Sequence, residues 1–477
     1  MFKDLRDYIK AVEQIGELKV IEGANWDLEI GALGEIYAET KECPMLLFDK
    51  ITGYPPGYRV IHNVFASQAR TSLGFELPVH LRGIDLVRAI RDKLKNMGPL
   101  IPPVETKKAP VKENILTGDA VDLYKFPVPK WHHLDGGRYI GTGDAVILRD
   151  PDEGWVNFGA YRVELHEKQV GTIQIAPGQD GDIIQKKYWA KGKNAPVAVS
   201  CGQEPAVFNA SGWQKTPWGI SEYDFAGSLK GAPVEITYGP YTGLPIPATA
   251  EIVLEGEIVP PEVDSRKEGP FGEWPGYYAS SAKMIPAFRV KTILHRNDPI
   301  IQGNPPHRLP AVFSLGRHVQ KAATLWDHLD KQLPGVRGVW MIEEAAVHSI
   351  PVISLKQMYP GHAKQAALVA AGSNATGWET RMIIVVDDDI DPSNLSEVWW
   401  ALGTRTDPER TIDIIRGTWG SALNPMLTEE QKKKGELERS MAIILACKPF
   451  SRMAEFPKAS GCTPEYLAEI RKKWHIK

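Results

Sequence analysis

Arg266-Lys267-Glu268-Gly269-Pro270-Phe271-Gly272-Glu273-Trp274 is the stretch from which the rest of the chain is read. It sets two carboxylates five residues apart, on either side of a Gly-Pro-Phe-Gly turn. Glycine permits positive φ and proline fixes its own φ, so the backbone here is bent and stiff. Such a turn can aim both acids at one point, as general acid–base chemistry requires. In isolation the same residues also describe a surface hairpin with two solvated glutamates, because acidic side chains in turns are usually wet. Immediately upstream, Ala248–Val259 reads as a strand whose register is set by Ile252, Leu254 and Ile258.

Working outward, strand signals dominate from residue 139 to about 300. Tyr139–Leu148, Trp155–Arg162, Gln169–Ile175, Val197–Cys201, Val234–Tyr238, Ala248–Val259 and Phe288–His295 are short, β-rich runs divided by Gly, Pro or Asp. So many strands in one stretch predict a barrel or sandwich, with helical insertions at Ile183–Lys191 and Glu222–Leu229. Before it, residues 1–110 read as a small α/β domain. Its helices are a segment within 3–19 closed by Gly16, then Leu28–Glu39 and Leu86–Asn96, and its strands are Pro44–Phe48 and Arg59–Val64. Nothing in that domain suggests a catalytic centre, and His62 with Asn63 reads as a structural pair. Residues 100–135 read as a proline-rich, extended linker. The linker ends at His132-His133, where strand alternation would send the two imidazoles to opposite faces and disfavour one shared metal ion.

Beyond residue 310 the pattern alternates. A helix over Leu315–Leu333, strands at Val336–Met341, Ile350–Leu355 and Met382–Val386, and a helix at Ala363–Ala371 predict an α/β layer domain. The acidic run Asp387–Asp391 is expected to cap a helix over Leu395–Leu402. A last helix, Pro464–Trp474, is placed to pack on a neighbouring subunit. The chain is thus expected to be a multidomain α+β protein with divisions near 1–110, 111–310 and 311–477.

Bulk properties exclude several classes. The 477 residues are too many for one simple core, and a net charge of -3 lacks the basic excess of a nucleic-acid binder. Cys43, Cys201, Cys447 and Cys462 are scattered without Cys-x-x-Cys spacing, so neither a zinc framework nor a disulfide framework is indicated. The first residues carry no signal peptide, and no apolar run reaches the roughly 18–20 residues of a membrane span. A cytoplasmic protein is expected.

Two further motifs precede the turn: Asn157-Phe158-Gly159-Ala160-Tyr161-Arg162, and Ser221-Glu222-Tyr223-Asp224-Phe225-Ala226-Gly227. With the Glu-Gly-Pro-Phe-Gly-Glu turn they stand in the order and spacing seen in the UbiD family of decarboxylases, which the chain resembles from Asp4 to about Thr406. A later Asp-rich stretch before Trp400-Ala401-Leu402-Gly403-Thr404-Arg405 adds to the resemblance. The resemblance implies that the central barrel is a split barrel like that of flavin reductases. It also implies a prenylated-FMN cofactor and an Arg-Glu-Glu set at Arg162, Glu268 and Glu273.

Loss of carbon dioxide from an aryl or enoic acid leaves a poorly stabilised carbanion, and no protein side chain supplies an electron sink. In the family the prenylated flavin does so, through a covalent adduct with the substrate. By resemblance Glu273 is the proton donor, Arg162 lies beside the flavin and Glu268 pairs with that arginine. Ala160, Tyr161, Arg162, Gln179 and Glu222 are implied at the cofactor. Asn157 and Glu222 are implied as ligands of Mn2+ or Mg2+, with K+ beside the flavin phosphate. The family's third ligand is often a histidine. Here the matching segment reads Ala176-Pro177-Gly178-Gln179-Asp180, so either the Gln179 oxygen or Asp180 substitutes, or the metal is held differently. A lysine that reaches the phosphate in some members has no clear match near Ser373–Gly377.

The implied activity is reversible non-oxidative decarboxylation of an aromatic or heteroaromatic acid. A flavin prenyltransferase would supply the cofactor, and the assembly would be a homodimer or homohexamer. Two other classes compete: an FMN-dependent oxidoreductase on the same barrel, and a non-catalytic subunit of a carboxylase complex. The first has no need of paired glutamates facing an arginine, and the second is expected to have lost one of the three residues. Trp274, directly after the expected donor, is read as a wall of the substrate pocket. His307 and Arg308, closing the stiff loop Gly303–Arg308, are read as the grip on a second polar substituent of a flat substrate.

Overall fold

A computed structural model describes residues 2–40, 42–212, 216–308, 315–345, 350–376 and 379–476. Its organising element is the thirteen-residue strand Lys283–His295. This strand pairs antiparallel with Val170–Gln174, Ile252–Ile258, Ser265–Glu268 and Asn114–Thr117 at different points of its length. Around it the central sheet has ten strands. Its path runs Arg138–Gly141, Arg162–Glu167, Val170–Gln174, Lys283–His295, Ile252–Ile258, Ala195–Cys201, Asp144–Arg149 and Val156–Gly159. The two end strands of that path are not paired with each other, so the sheet is a curled, open half-barrel of antiparallel strands. One face buries Val146, Leu148, Val163, Leu165, Val197, Val199, Leu254 and Phe288 in a continuous core.

The expected multidomain α+β architecture is what the structure has, with several revisions of detail. The run Trp155–Arg162 is not one strand. Val156–Gly159 ends, the chain turns at Ala160 and Tyr161, and Arg162 opens the next strand. Val234–Tyr238 contributes Glu235–Tyr238 to a separate three-stranded sheet with Pro245–Pro247 and Val104–Glu105. The proline-rich stretch 100–135 is extended but not a free linker, because Val111, Val121, Leu123, Phe126, Val128 and Trp131 are all buried. Proline frequency reports backbone stiffness and says nothing of what the intervening apolar residues cover.

In the N-terminal region Leu18–Glu22, Met45–Asp49 and Arg59–His62 form a sheet that Ile300–Gln302 completes by pairing parallel with Arg59–His62. That late strand delivers the loop after it, residues 303–308, to the N-terminal helix Glu29–Ala38. The helix Gly83–Lys95 turns the other way and packs on Leu315–Asp330, with Leu86, Val87 and Ile90 in the same core as Val319 and Leu325. The C-terminal sheet has five strands, two of which, Ile412–Thr418 and Arg439–Ala446, lie beyond the sequence-based reading. Asp387–Asp391 does not cap the following helix, since Asn394 does so through Ser396 N–H; Asp387 and Asp389 pair instead with Arg405.

Candidate active site

Strand alternation explains how the site is assembled. Along Arg162–Glu167, Val163 and Leu165 enter the core, so Arg162 and Glu164 share the opposite face. Glu268 closes Ser265–Glu268, and Gly269 follows with φ +82, a conformation that favours glycine, before a cis Gly269–Pro270 bond. The turn is held from two sides. Gly269 N–H donates to Glu164 Oε2 at 2.9 Å, and Gly272 N–H donates to Asp135 Oδ1 at 3.2 Å. The two glutamates are therefore not solvated: Glu268 is 1% exposed and Glu273 6%.

Arg162 meets both. Its Nε donates to Glu268 Oε1 at 2.6 Å and its Nη2 to Glu268 Oε2 at 2.9 Å, a bidentate fork, while Nη1 pairs with Glu273 Oε1. The guanidinium carbon lies 5.2 Å from the Phe271 ring centre, and Tyr139 donates its hydroxyl hydrogen to Glu268 or Glu164, both at 3.2 Å. Burial pushes Glu273 above the ordinary carboxyl range. Arg162 pulls it back, and the neighbouring Glu268 charge adds to the rise. Burial is also the main reason Glu164 is pushed up to about 7. Glu164 and Tyr139 escaped the reading from sequence, although Glu164 stands two residues after Arg162, the spacing that places both on one face of a strand.

A second cluster lies behind the turn at Ala160–Tyr161. Glu222 is buried, accepts Phe158 N–H at 2.8 Å and takes both contacts of Asn157 Nδ2 at 3.2 and 3.3 Å. Burial raises Glu222 to about 7, with the Asp180 charge contributing in the same direction. Asn157 Oδ1 is buried without a hydrogen-bond partner. An orphaned amide oxygen beside a buried carboxylate is a donor set suited to a hard divalent cation. Gln179 sits exposed at the N-cap of Asp180–Ala190 without a capping bond, so the neighbouring carboxylate that acts on Glu222 belongs to Asp180. Ala160 N–H donates to Ser211 O at 2.9 Å, and Tyr161 is half-buried beside Gly159 and Gly181.

The three remaining positions diverge. Trp274 is half-buried with the Arg317 guanidinium 5.5 Å from its ring centre. His307 is 1% exposed and faces inward, whereas its neighbour Arg308 is exposed, so the loop does not present them as a pair. His307 instead meets His62, His132 and Glu35. Glu35 and His62 of the N-terminal region thus reach this face of the molecule, where His62 meets His307 while Asn63 Nδ2 donates to Gly34 O at 3.2 Å. His133 is exposed, and His132 faces His307 across a loop instead of standing on a strand. Of the Ser373–Gly377 stretch, Gly377 lies outside the described residues.

Three family models match in succession: the 3-octaprenyl-4-hydroxybenzoate carboxy-lyase N-terminal domain over residues 9–90, its Rift-related domain over 103–308 and its C-terminal domain over 317–446. The chain is 33% identical over 451 residues to the pyrrole-2-carboxylic acid decarboxylase of Pseudomonas aeruginosa, covering 91% of this chain and 89% of the relative. The open form of Sedimentibacter hydroxybenzoicus vanillic acid decarboxylase superposes with a TM-score of 0.86 at 28% identity, covering 100% of this chain and 99% of that one. An evolved dimeric form of the UbiD-class enzyme HmfF from Pelotomaculum thermopropionicum, solved with prFMN, superposes with a TM-score of 0.81 at 27% identity over 98% of each chain. Fold and family together define a carboxy-lyase, an enzyme that removes or adds a carboxyl group. The chain belongs to the UbiD family. Among its described residues no helix is long and apolar enough to cross a membrane.

Proposed function

We propose that the chain catalyses reversible, non-oxidative decarboxylation of a planar aromatic or heteroaromatic acid, with prenylated FMN as cofactor. The observation that carries this reading is the Arg162–Glu268–Glu273 set, in which one largely buried cation faces two buried acids. When bound, the prenylated flavin supplies the electron sink that the side chains lack. Arg162, held rigid by the Glu268 fork, offers a planar cation to the substrate carboxylate. Glu273, raised by burial, holds a proton at its carboxyl oxygen and delivers it to the carbon that loses its carboxyl group. Glu164 and Asp135 keep the turn in register by accepting the Gly269 and Gly272 N–H groups.

Asn157 and Glu222 would hold Mn2+ or Mg2+ at the cofactor phosphate, with K+ nearby. Asp180 is the better third ligand than Gln179, because it is the carboxylate whose charge reaches Glu222. The relatives act on pyrrole-2-carboxylic and vanillic acids, which supports a flat, short substrate here. Trp274 and the Gly303–Arg308 loop would border it, with His307 or Arg308 at a second polar substituent. The three-part division near residues 110 and 310, a flavin prenyltransferase as cofactor supplier and assembly as a homodimer or homohexamer complete the reading. The exposed helix Pro464–Lys473, with Tyr466 and Leu467 on its surface, is a surface for such assembly.

The test is to co-express the chain with a flavin prenyltransferase and screen aromatic and heteroaromatic acids for carbon dioxide release. Turnover that requires both the prenylated flavin and Glu273 is expected. Flavin bleaching by a nicotinamide donor without carbon dioxide release would replace this reading with an oxidoreductase.

A further inference from the structure

Beside the Glu268–Glu273 turn, three segments distant in sequence converge. Glu35 comes from the helix Glu29–Ala38, His132 from the loop after the proline-rich stretch and His307 from the loop that follows Ile300–Gln302. Their donor atoms form a small triangle. His132 Nε2 is 3.2 Å from His307 Nδ1, Glu35 Oε1 is 3.5 Å from His307 Nδ1, and Glu35 Oε1 is 3.7 Å from His132 Nε2. Ligands about 2.05 Å from a tetrahedral ion stand about 3.3 Å apart, so the triangle has the size of one face of such a coordination shell.

Hydrogen bonding decides which atoms face the centre of that triangle. Asp135 Oδ2 lies 3.3 Å from His132 Nδ1, and a carboxylate only accepts, so Nδ1 carries the hydrogen and Nε2 presents a lone pair. On the other side, Gly303 O lies 3.4 Å from His62 Nδ1, and in the tautomer that donates to this carbonyl His62 Nε2 is an acceptor. In that tautomer His307 Nε2, 2.7 Å from His62 Nε2, donates, and His307 Nδ1 presents its lone pair towards Glu35 and His132. Two imidazole lone pairs and a carboxylate oxygen thus meet at one point. One divalent ion at that point would engage all three donors at once. The outer bonds, carboxylate to His132 and carbonyl through His62 to His307, are the ones that orient histidines bound to a metal.

The backbone makes room for this arrangement. Gly34, next to Glu35, lies so close to His62 that a Cβ there would collide with its ring. Glu35 is half-exposed while His307 is fully buried, so an ion can enter from the Glu35 side. We propose that Glu35, His132 and His307 bind one divalent transition-metal ion, zinc by the character of the donors, at a site separate from the Asn157–Glu222 cluster. The ion fastens the N-terminal helix to both loops beside the glutamate turn. This inference does not depend on the proposed cofactor, and with His307 on the ion the contact to a second polar substituent of the substrate falls to Arg308.

The experiment uses the full chain, stripped of metal and titrated with Co2+ and Zn2+. Cobalt at two imidazoles and a carboxylate gives the intense visible bands of four-coordinate geometry, which an all-oxygen, six-coordinate site does not. One equivalent with such bands is expected, displaced by zinc, together with a zinc-dependent rise in Tm. His132→Ala should abolish the bands, and Glu35→Gln should weaken binding at least tenfold. Asp135→Asn, which removes only the orienting carboxylate, should weaken binding about 10–100-fold. Asn157→Ala should leave the bands unchanged. Absence of four-coordinate bands in the unmutated protein would mean that a proton alone occupies the triangle and would overturn the proposal. So would bands that survive both His132→Ala and Glu35→Gln.

Discussion

Two of the clusters in which one arginine meets two acids, one in the central region and one in the C-terminal region, behave in opposite ways. In the central region Arg162 pairs with Glu268 and Glu273, all three largely buried. In the C-terminal region Arg405 pairs with Asp387 at 3.0 Å and with Asp389 at 2.7 and 2.9 Å, and Lys448 adds a contact to Asp389 at 2.7 Å. The second cluster has two cations for two acids. Burial pushes Asp389 up, but hydrogen bonds from Arg405 and Lys448 outweigh it and hold the carboxyl at about 2. The first cluster has one cation for two acids, and Glu273 stays raised. Deeper burial, with one paired cation where the other cluster has two, is what keeps the Glu273 carboxyl raised. The Arg405 cluster is structural by the same reasoning, since both of its acids are paired and Asp389 is held low.

The largest expected effect breaks the first cluster. Glu273→Gln should retain flavin by absorbance and lose roughly a thousandfold in kcat, whereas turnover within tenfold of wild type would remove Glu273 as donor. In the wild-type enzyme kcat should decline as pH rises, because ionisation of Glu273 removes the proton to be delivered. That decline should begin at higher pH than for an ordinary carboxyl, in line with the raised Glu273.

Next comes loss of the cofactor. Asn157→Ala or Glu222→Ala should release divalent metal and flavin together, measured by metal analysis and absorbance. Full retention of both in both variants would place the metal elsewhere. A smaller effect concerns the substrate. His307→Ala and Arg308→Ala should each be assayed on a mono-acid and on its hydroxylated or dicarboxylated analogue. Contact with the substituent is worth about 1.5–3 kcal/mol, so the variant that loses it should penalise the substituted acid roughly tenfold or more. Equal losses on both substrates would show that the loop does not read the substituent.

The smallest effect sharpens the comparison from the other side. Lys448→Ala should leave kcat unchanged and cost about 1 kcal/mol or less, because Asp389 is partly exposed and Arg405 remains. Its pH dependence has a definite sign. A carboxyl held at about 2 in the folded chain stabilises above its ordinary value and loses that contribution as pH falls towards 2. The gap in Tm between wild type and Lys448→Ala should therefore be widest near neutral pH and close in acid. A gap that widened in acid would contradict the pairing.

Local chemistry was enough to reveal much of the candidate site. The Gly-Pro-Phe-Gly turn between Glu268 and Glu273 announces a stiff, bent backbone because glycine and proline act through their own φ, whatever surrounds them. Period-two alternation likewise marks the strands, and would have placed Glu164 beside Arg162 had it been applied to Arg162–Glu167. Other features depend on partners far along the chain, and only the tertiary structure decided them. Burial of the linker stretch is one, since the core around Phe126 and Val128 is built from other segments. The strand Ile300–Gln302 is another: its pairing with Arg59–His62 brings His307 to His62, His132 and Glu35, residues 245, 175 and 272 positions away. A histidine in a linear sequence has no preferred partner. Its tautomer and its direction are set by which acceptor the fold places behind it, and that information exists only once the chain has closed.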